Sequence, residues 1–196
     1  LSSPVTLTPQ NFEETVTRAV QVLRQTGGVV LLPTETVYGL VCRAGDAEGV
    51  NRIYELKHRD YGKPLAWFID DWRKLSQFGV KLDGLPAKLA DKYCPGPITV
   101  IAPAADGKTV GFRTPDHPLV LAILRRIDFP LTSTSANLSG RPNALSARAA
   151  LAELSGTVDY AIDGGDIPCD ALASTVVDAT GQQIKILRQG PLQISI

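Results

Sequence analysis

Short, continuously apolar runs alternate with helical patterns along this chain, and that alternation limits the folds it can adopt. The four residues 29–32 read Val-Val-Leu-Leu, and an unbroken β-branched run of this length predicts a strand covered on both faces. Upstream of it, apolar residues recur at the spacing of an amphipathic helix that starts after Thr8 and Pro9: Phe12, Val16, Ala19, Val20 and Leu23. Gly27 and Gly28 predict the end of that helix.

The same alternation continues toward the C-terminus. Further helices are predicted over about 46–57 and after Pro118. Further strands are predicted over 64–69, 97–101, 109–113, 129–133, 160–162, 174–178 and 184–188. Strands interleaved with helices predict a single α/β domain whose twisted open sheet is mostly parallel or mixed, with flanking helices.

The charge and cysteine content exclude several classes of protein. Twenty acidic residues balance twenty basic ones among the 196 residues, so contact with nucleic acid would need a local basic patch. No apolar run approaches the roughly 18 residues that a membrane helix needs. Three widely spaced cysteines without a C-x-x-C pair, and only two histidines, disfavour a disulfide framework and a protein-bound transition metal. These features, with no secretory signal, predict a cytoplasmic protein without a membrane anchor.

Polar clusters follow several of the predicted strands, where open α/β sheets usually bind ligands. The first cluster, residues 33–40, places two hydroxyls, a carboxylate and a phenol between Pro33 and Gly39. An ordinary strand-to-loop turn explains it equally well.

The second cluster, residues 57–63, carries Lys57, Arg59 and Lys63. These cations could surround a triphosphate. They lie at a predicted helix end, however, where the helix dipole alone favours positive charge.

The third cluster is rich in hydroxyls and spans residues 132–140, including Ser133 and Ser135. Short polar side chains of this kind cap backbone groups or bind phosphate and carboxylate oxygens. Asn137 lies in a sequence that is also typical of a turn.

Two arginines lie on predicted strands. Alternation places Arg113 on the face opposite Val110 and Phe112, and Arg188 on the face of Ile184 and Ile186. A buried guanidinium needs an anion, which is either an acidic side chain or a ligand.

Motifs for covalent or dinucleotide chemistry are absent from the sequence. It contains no phosphate loop, no G-x-G-x-x-G turn and no G-x-S-x-G elbow. Pairing Cys94 with His58 or His117, or Ser135 with His117, has little support as a nucleophile–base pair. The remaining interpretation is a cleft that binds and orients a nucleotide and a small anionic substrate.

Eight segments, in this order, resemble the YrdC-like family of threonylcarbamoyl-adenylate synthases from about residue 9 to 191. They are residues 33–40, Lys57–Arg59 before 63–65, 95–99, Arg113 before 116–119, 133–137, 163–165, 174–176 and 187–190. The resemblance implies a domain over 9–191 in which a twisted sheet surrounds a large concave cavity. It implies that threonine, bicarbonate and ATP react to form threonylcarbamoyladenylate and pyrophosphate, for modification of tRNA position 37 and transfer by downstream proteins.

The resemblance also implies site residues. Threonine would be bound by Thr34, Arg113, Ser133 and Ser174. ATP, accompanied by Mg²⁺, would be bound by Lys57, Arg59, Lys63, Thr109, Ser135, Asn143 and Arg188. Lys57 and Arg59 would position it, and no protein metal site is implied.

Two positions depart from the family pattern. Phe68 stands where some members have a histidine near the amino acid, and Asn143 stands where others have a serine. Two alternative functions stay open from the sequence. One is a module of this fold that binds double-stranded RNA or tRNA, or assists ribosome assembly. The other is a related enzyme that forms a carbamoyl adenylate from carbamoyl phosphate.

Overall fold

Ten strands of this chain form one mixed sheet in the computed structural model, which describes residues 3–195. The strands are β1 Val5–Thr6, β2 Val30–Leu32, β3 Gly39–Arg43, β4 Ala66–Phe68, β5 Ile98–Pro103, β6 Thr109–Arg113, β7 Leu131–Ser135, β8 Tyr160–Asp163, β9 Thr175–Asp178 and β10 Lys185–Arg188. The helices are α1 Phe12–Leu23, α2 Ala47–Lys57, α3 Gly84–Tyr93, α4 Pro118–Leu124 and α5 Ala147–Glu153, with a 3-10 helix at Trp72–Phe78.

The strand order is β1-β8-β2-β3-β7-β4-β6-β5-β9-β10. Four neighbouring pairs are parallel, namely β1–β8, β2–β8, β4–β6 and β5–β9. The other five pairs are antiparallel. The mixed α/β sheet expected from the sequence is therefore confirmed, whereas the limits of 9–191 stay a prediction.

Local chemistry sets the ends of α2. The carboxylate of Asp46 caps the first turn by accepting from the amide of Glu48, at 3.2 Å. The helix ends at His58, whose φ of 47° is left-handed and whose amide closes the last turn on Glu55. This end places Lys57 in the last helical turn and Arg59 in the loop beyond it.

Several elements were not predicted. Strand β3 lies partly inside the polar cluster 33–40, and α3, α5 and the 3-10 helix are short, with apolar residues spaced too irregularly to stand out. Ser146 nevertheless caps α5 by accepting from the amide of Ala149, at 3.1 Å.

Helices cover both faces of the sheet. On one face, α1 and α4 pack against Val30, Leu32 and Val41. On the other, α2 and α5 pack against Leu31, Leu40 and Cys42. A third core, built by β5, β6, β9, α3 and the 3-10 helix, completes the sheet beyond β4.

Strand β7 shows how the sheet positions a cavity. Leu131 packs into the core under α1 and α4. Ser133 and Ser135 alternate to the same face further along the strand and line an open cavity instead. The helices thus cover only part of this face, and the uncovered part carries hydroxyl side chains among apolar ones. None of the helices within residues 3–195 combines the length and the apolar composition needed to cross a bilayer.

Candidate functional site

A cavity of about 310 Å³ opens on the uncovered part of the sheet. Residues from strands β3 to β7, β9 and β10 line it, together with the loops 33–38, 59–65 and 173–174. Eight of the eleven residues predicted to bind a ligand lie on its wall: Thr34, Arg59, Thr109, Arg113, Ser133, Ser135, Ser174 and Arg188. The cavity volume is within the range of small-molecule sites.

Strand pairing explains why residues distant in sequence meet here. Arg113 pairs with Phe68 across β6 and β4. On the other side of the cavity, Val176 of β9 pairs with Thr99 of β5 and with Arg188 of β10. Because directly paired residues point to the same face of a sheet, the two arginines approach one cavity from two strands.

Arg113 is almost fully buried, with 5% of its side chain exposed, and its anion is Glu35. Its Nη2 lies 2.7 Å from Glu35 Oε1 in an ion pair and donates to Thr36 Oγ1 at 3.0 Å. The Phe68 ring centroid lies 5.5 Å from the guanidinium carbon. The sequence left open whether the anion of Arg113 is an acidic side chain or a ligand. In the structure it is the acidic side chain of Glu35, and Phe68 lies beside the guanidinium of Arg113.

Ser174 joins Arg188 and Thr99 in a second polar group. Its hydroxyl lies 2.8 Å from Thr99 Oγ1. Arg188 donates from Nε and Nη2 to the Ser174 carbonyl, at 3.0 and 2.9 Å, and from Nη2 to its hydroxyl, at 3.2 Å. The pKa of Arg188 is lowered, first by burial and then by the charges of Arg113 and Arg59. Arg113 is balanced by Glu35, whereas Arg59 and Arg188 form no ion pair within residues 3–195, so these two guanidiniums give the cavity a positive potential that favours anions.

The expected face of Arg188 was wrong. The register between β9 and β10 shifts, so that Ile186 pairs with Val177 but Arg188 pairs with Val176. Val177 is fully buried in the third core, whereas Val176 lines the cavity. The bulge thus turns Arg188 to the face opposite Ile186, which a strict alternation cannot predict.

Thr34 holds the turn that follows β2. Its Oγ1 accepts from the amides of Thr36 and Val37, at 3.1 and 3.2 Å, and donates to the Val37 carbonyl at 2.7 Å. This hydroxyl network matches the turn interpretation of the first polar cluster. Contact between Thr34 and a substrate stays a prediction.

Three predicted residues lie outside the lining of the cavity: Lys57, Lys63 and Asn143. Lys57 is buried, and its ammonium donates to the carbonyls of Ser135 and Asn137 directly behind the cavity wall. Lys63 is exposed, and Asn143 donates to the Ala171 carbonyl at 3.4 Å. Arg59 lines the cavity while donating to the carbonyls of Lys63 and Pro64. Their roles toward ATP stay predictions.

Lys57 predicts a pH dependence of stability. Burial, followed by the charge of Arg59, lowers its pKa from 10.5 to about 8. The folded protein therefore binds fewer protons than the unfolded chain between pH 8 and 10.5, and stability gains as the pH rises through this window. The neutral amine keeps two hydrogens for the two carbonyls.

We expect the unfolding free energy of the wild type, relative to Lys57→Met, to increase by about 1.5 kcal/mol between pH 8 and 9.5. Chemical denaturation at several pH values measures it. Subtracting the unfolding free energy of the methionine variant removes the contribution of all other titratable groups. A difference that does not change with pH would contradict the lowered pKa of Lys57.

Sequence reasoning missed several wall residues and the supports behind them. Glu35, Thr36 and Thr99 were given no role, although the alternation along β5 places Thr99 on the face of Ile101. Tyr38 lines the cavity and donates to the Gly165 carbonyl at 2.7 Å. The Tyr38 oxygen also accepts from the Gly164 amide at 3.0 Å. Tyr38 thus fixes the loop after β8 beside the cavity.

The cysteines and acidic residues offer little reactive chemistry. Burial raises the pKa of Cys94 to about 11, so its thiol is protonated at neutral pH. Within residues 3–195, no group of three or more His, Cys, Asp or Glu side chains is arranged to hold a metal ion. The described residues that line the cavity include no carboxylate. The site is therefore suited to binding and orienting anions.

A fold and site of this kind define an α/β protein with a cavity lined by arginine and hydroxyl side chains on its sheet. The chain belongs to the Sua5/YciO/YrdC family, because residues 22–190 match the model of that family, whose description is "Telomere recombination".

Curated relatives carry one function in their names. The chain is 31% identical over 194 residues to the threonylcarbamoyl-AMP synthase of Pyrococcus abyssi. The aligned region covers 94% of this chain and 57% of the relative. It is 34% identical over 185 residues to that of Bacillus subtilis, covering 89% and 53%. It is 31% identical to the putative enzyme of Methanocaldococcus jannaschii, covering 86% and 82%. The chain thus spans little more than half the length of the first two.

Solved structures share the fold. A crystal structure of P. abyssi Sua5 complexed with L-threonine has a TM-score of 0.84 at 32% identity, over 96% of this chain and 57% of that one. Escherichia coli YciO has a TM-score of 0.85 at 26% identity, over 97% of both chains.

Proposed function

We propose that this chain is a threonylcarbamoyl-AMP synthase. In the reaction, the amine of L-threonine and bicarbonate form a carbamate with loss of water. A carbamate oxygen then attacks the α-phosphorus of ATP, and pyrophosphate leaves. Support comes from the curated relatives that carry this name and from the L-threonine complex of a structural neighbour.

The observation that carries the proposal is the presence of three arginines and several hydroxyls on the wall of one cavity. Arg113 lies beside Phe68, and Arg188 lies beside Ser174. Arg113 can donate from one nitrogen to the carboxylate of an amino acid, and a second guanidinium suits a phosphate. Two anionic substrates could therefore lie next to each other, which is what an in-line displacement requires.

The same geometry supports a mechanism without a covalent intermediate. Phosphoryl and adenylyl transfers depend chiefly on positioning and charge neutralisation. Arg59 and Arg188 would neutralise phosphate oxygens, and Ser133 and Ser135 would donate hydrogen bonds from β7. Lys57 would act through the β7 strand end, whose carbonyls it holds.

Magnesium would enter with ATP as part of the substrate. Because the described wall carries no carboxylate, phosphate oxygens and water would supply most of its ligands, as is usual for Mg²⁺–nucleotide complexes. Bound in this way, the ion would neutralise charge on the leaving pyrophosphate.

The product would serve tRNA modification in the cytoplasm. Three free cysteines are consistent with a reducing compartment. An adenylate is an activated group, so a transferase must consume it, and modification of tRNA position 37 is the use that the family resemblance implies. Direct contact with tRNA or double-stranded RNA would involve the arginines around the cavity.

We expect purified protein to release pyrophosphate from Mg-ATP only when threonine and bicarbonate are both present. Omission of threonine should reduce the rate to background, because no carbamate forms to attack ATP. A coupled pyrophosphate assay measures it, with serine, valine and glycine as controls. Pyrophosphate release that does not depend on the amino acid would contradict the threonine assignment.

A further inference from the structure

Buried polar atoms without a partner cluster behind Arg113. Five such side-chain atoms occur among the described residues, and four of them belong to Glu35, Arg113, Thr114 and His117. Buried polar groups are nearly always paired, so a concentration of unpaired ones requires an explanation, which is either a functional role or a bound water.

Glu35 connects the parts of this cluster. Its Oε1 forms an ion pair with Arg113 Nη2, at 2.7 Å, and accepts from the Asp116 amide at 2.9 Å. One carboxylate oxygen therefore joins the loop after β2 to the last residue of β6 and to the segment that leads into α4. The ion pair is well shielded, since the two side chains are 5% and 17% exposed.

The hydrogens of Arg113 are divided in a specific way. Nη2 donates to Thr36 Oγ1 and is ion-paired with Glu35. Nη1 makes no hydrogen bond to the described residues and, unlike Nε, is not among the fully buried atoms without a partner. Nη1 is thus the donor of this guanidinium that a ligand can reach.

We infer that Glu35 is a positioning residue for the amino-acid substrate, an inference that rests on the proposed function. Glu35 and Thr36 hold the guanidinium of Arg113 in one plane so that Nη1 faces the carboxylate of the substrate. Glu35 does not line the cavity, so it acts through Arg113 and does not bind the substrate. A group held in place by two acceptors loses little freedom when its ligand binds.

Conservative and non-conservative variants separate this role from simple stabilisation. Glu35→Gln keeps an oxygen that can accept from Arg113 and Asp116, whereas Glu35→Ala removes it. We expect Glu35→Ala to raise the KM for threonine roughly tenfold to a hundredfold, with the KM for ATP nearly unchanged. Glu35→Gln should stay within about threefold of the wild type.

Asp159 provides a matched control. Its Oδ2 also accepts from an arginine, Arg52 Nη1 at 2.6 Å, and from a backbone amide, that of Val29 at 2.8 Å, away from the cavity. Asp159→Ala should lower stability and leave the KM for threonine unchanged. A threonine KM in Glu35→Ala within twofold of the wild type, or an equal increase in Asp159→Ala, would overturn the inference.

A second measurement does not depend on the activity. Nitrogen-15 NMR of the arginine side chains, with Arg113 assigned from its loss in Arg113→Lys, reports rotation about the Nε–Cζ bond. We expect restricted rotation in the wild type and in Glu35→Gln, and faster rotation in Glu35→Ala. Equal rotation in all three would refute the positioning role, whereas absent threonine dependence in the wild type would refute only the proposed function.

Discussion

Replacing Arg113 with alanine should raise the KM for threonine about hundredfold or more and change the KM for ATP less than about threefold. The reason is local. Arg113 has an accessible Nη1 beside Phe68, and the nearest other arginine, as judged by the strand pairing, already binds Ser174. The third cation on the described wall, Arg59, donates to the carbonyls of Lys63 and Pro64. Steady-state pyrophosphate release, with each substrate varied in turn, measures both constants.

The variant also leaves the half-buried Glu35 without its cation, which costs less than the roughly 3–5 kcal/mol of breaking a fully buried pair on one side. The double variant Glu35→Gln, Arg113→Met removes both charges and should recover most of that stability, but not the threonine affinity. Arg73→Ala, which loses exposed ion pairs with Asp71 and Asp91, serves as the control and should behave as the wild type. Equal increases in the KM values for threonine and ATP would contradict a selective role for Arg113.

Replacing Gly190 with alanine should displace the segment 173–175, which contributes Ser174 to the cavity wall. A Cβ at this position would lie 2.3 Å from the Ala173 carbonyl oxygen and 2.4 Å from the Thr175 amide nitrogen. Both atoms are backbone, so no side-chain rotation relieves the clash. We expect Gly190→Ala to destabilise the fold by about 3 kcal/mol or more, and to reduce activity strongly at temperatures where it stays folded, because Ser174 must move.

Gly181, in the turn between β9 and β10, gives the control. A Cβ there meets nothing nearer than the Gln183 carbonyl oxygen, at 3.8 Å, so Gly181→Ala should change stability by less than about 1 kcal/mol. Chemical denaturation compares the two variants. An unfolding free energy of Gly190→Ala equal to that of Gly181→Ala would show that the segment around Ser174 tolerates displacement.

Most strands were predicted correctly because each of them has a local pattern of apolar residues that is typical of a strand. Residues 29–32 are continuously apolar, and the structure covers β2 on both faces, as such runs require. The residues predicted to bind ligands were also expected to meet, and eight of them line one cavity. Five of the eight lie within strands β6, β7 and β10, and they meet because alternation, together with the bulge before Arg188, places their side chains on one face of the sheet.

Other features depend on contacts that one sequence does not reveal. The pairing of Glu35 with Arg113 joins residues 78 positions apart, and either residue alone fits several partners. Lys57 looked like a phosphate ligand, yet its ammonium is occupied by two carbonyls of β7 and the loop after it. The side of β10 on which Arg188 lies depends on a bulge, and no residue in 185–188 predicts the position of that bulge.

The position of Arg188 on β10 has a consequence for biosynthesis. Arg188 belongs to the last strand of the sheet, whereas the turn of Thr34 follows the second. A nascent chain on the ribosome can therefore complete most of the sheet before its ligand pocket gains the third guanidinium. Ligand binding would report the addition of β10 to the sheet, and a single-residue deletion at the bulge would yield a folded protein with a disabled pocket.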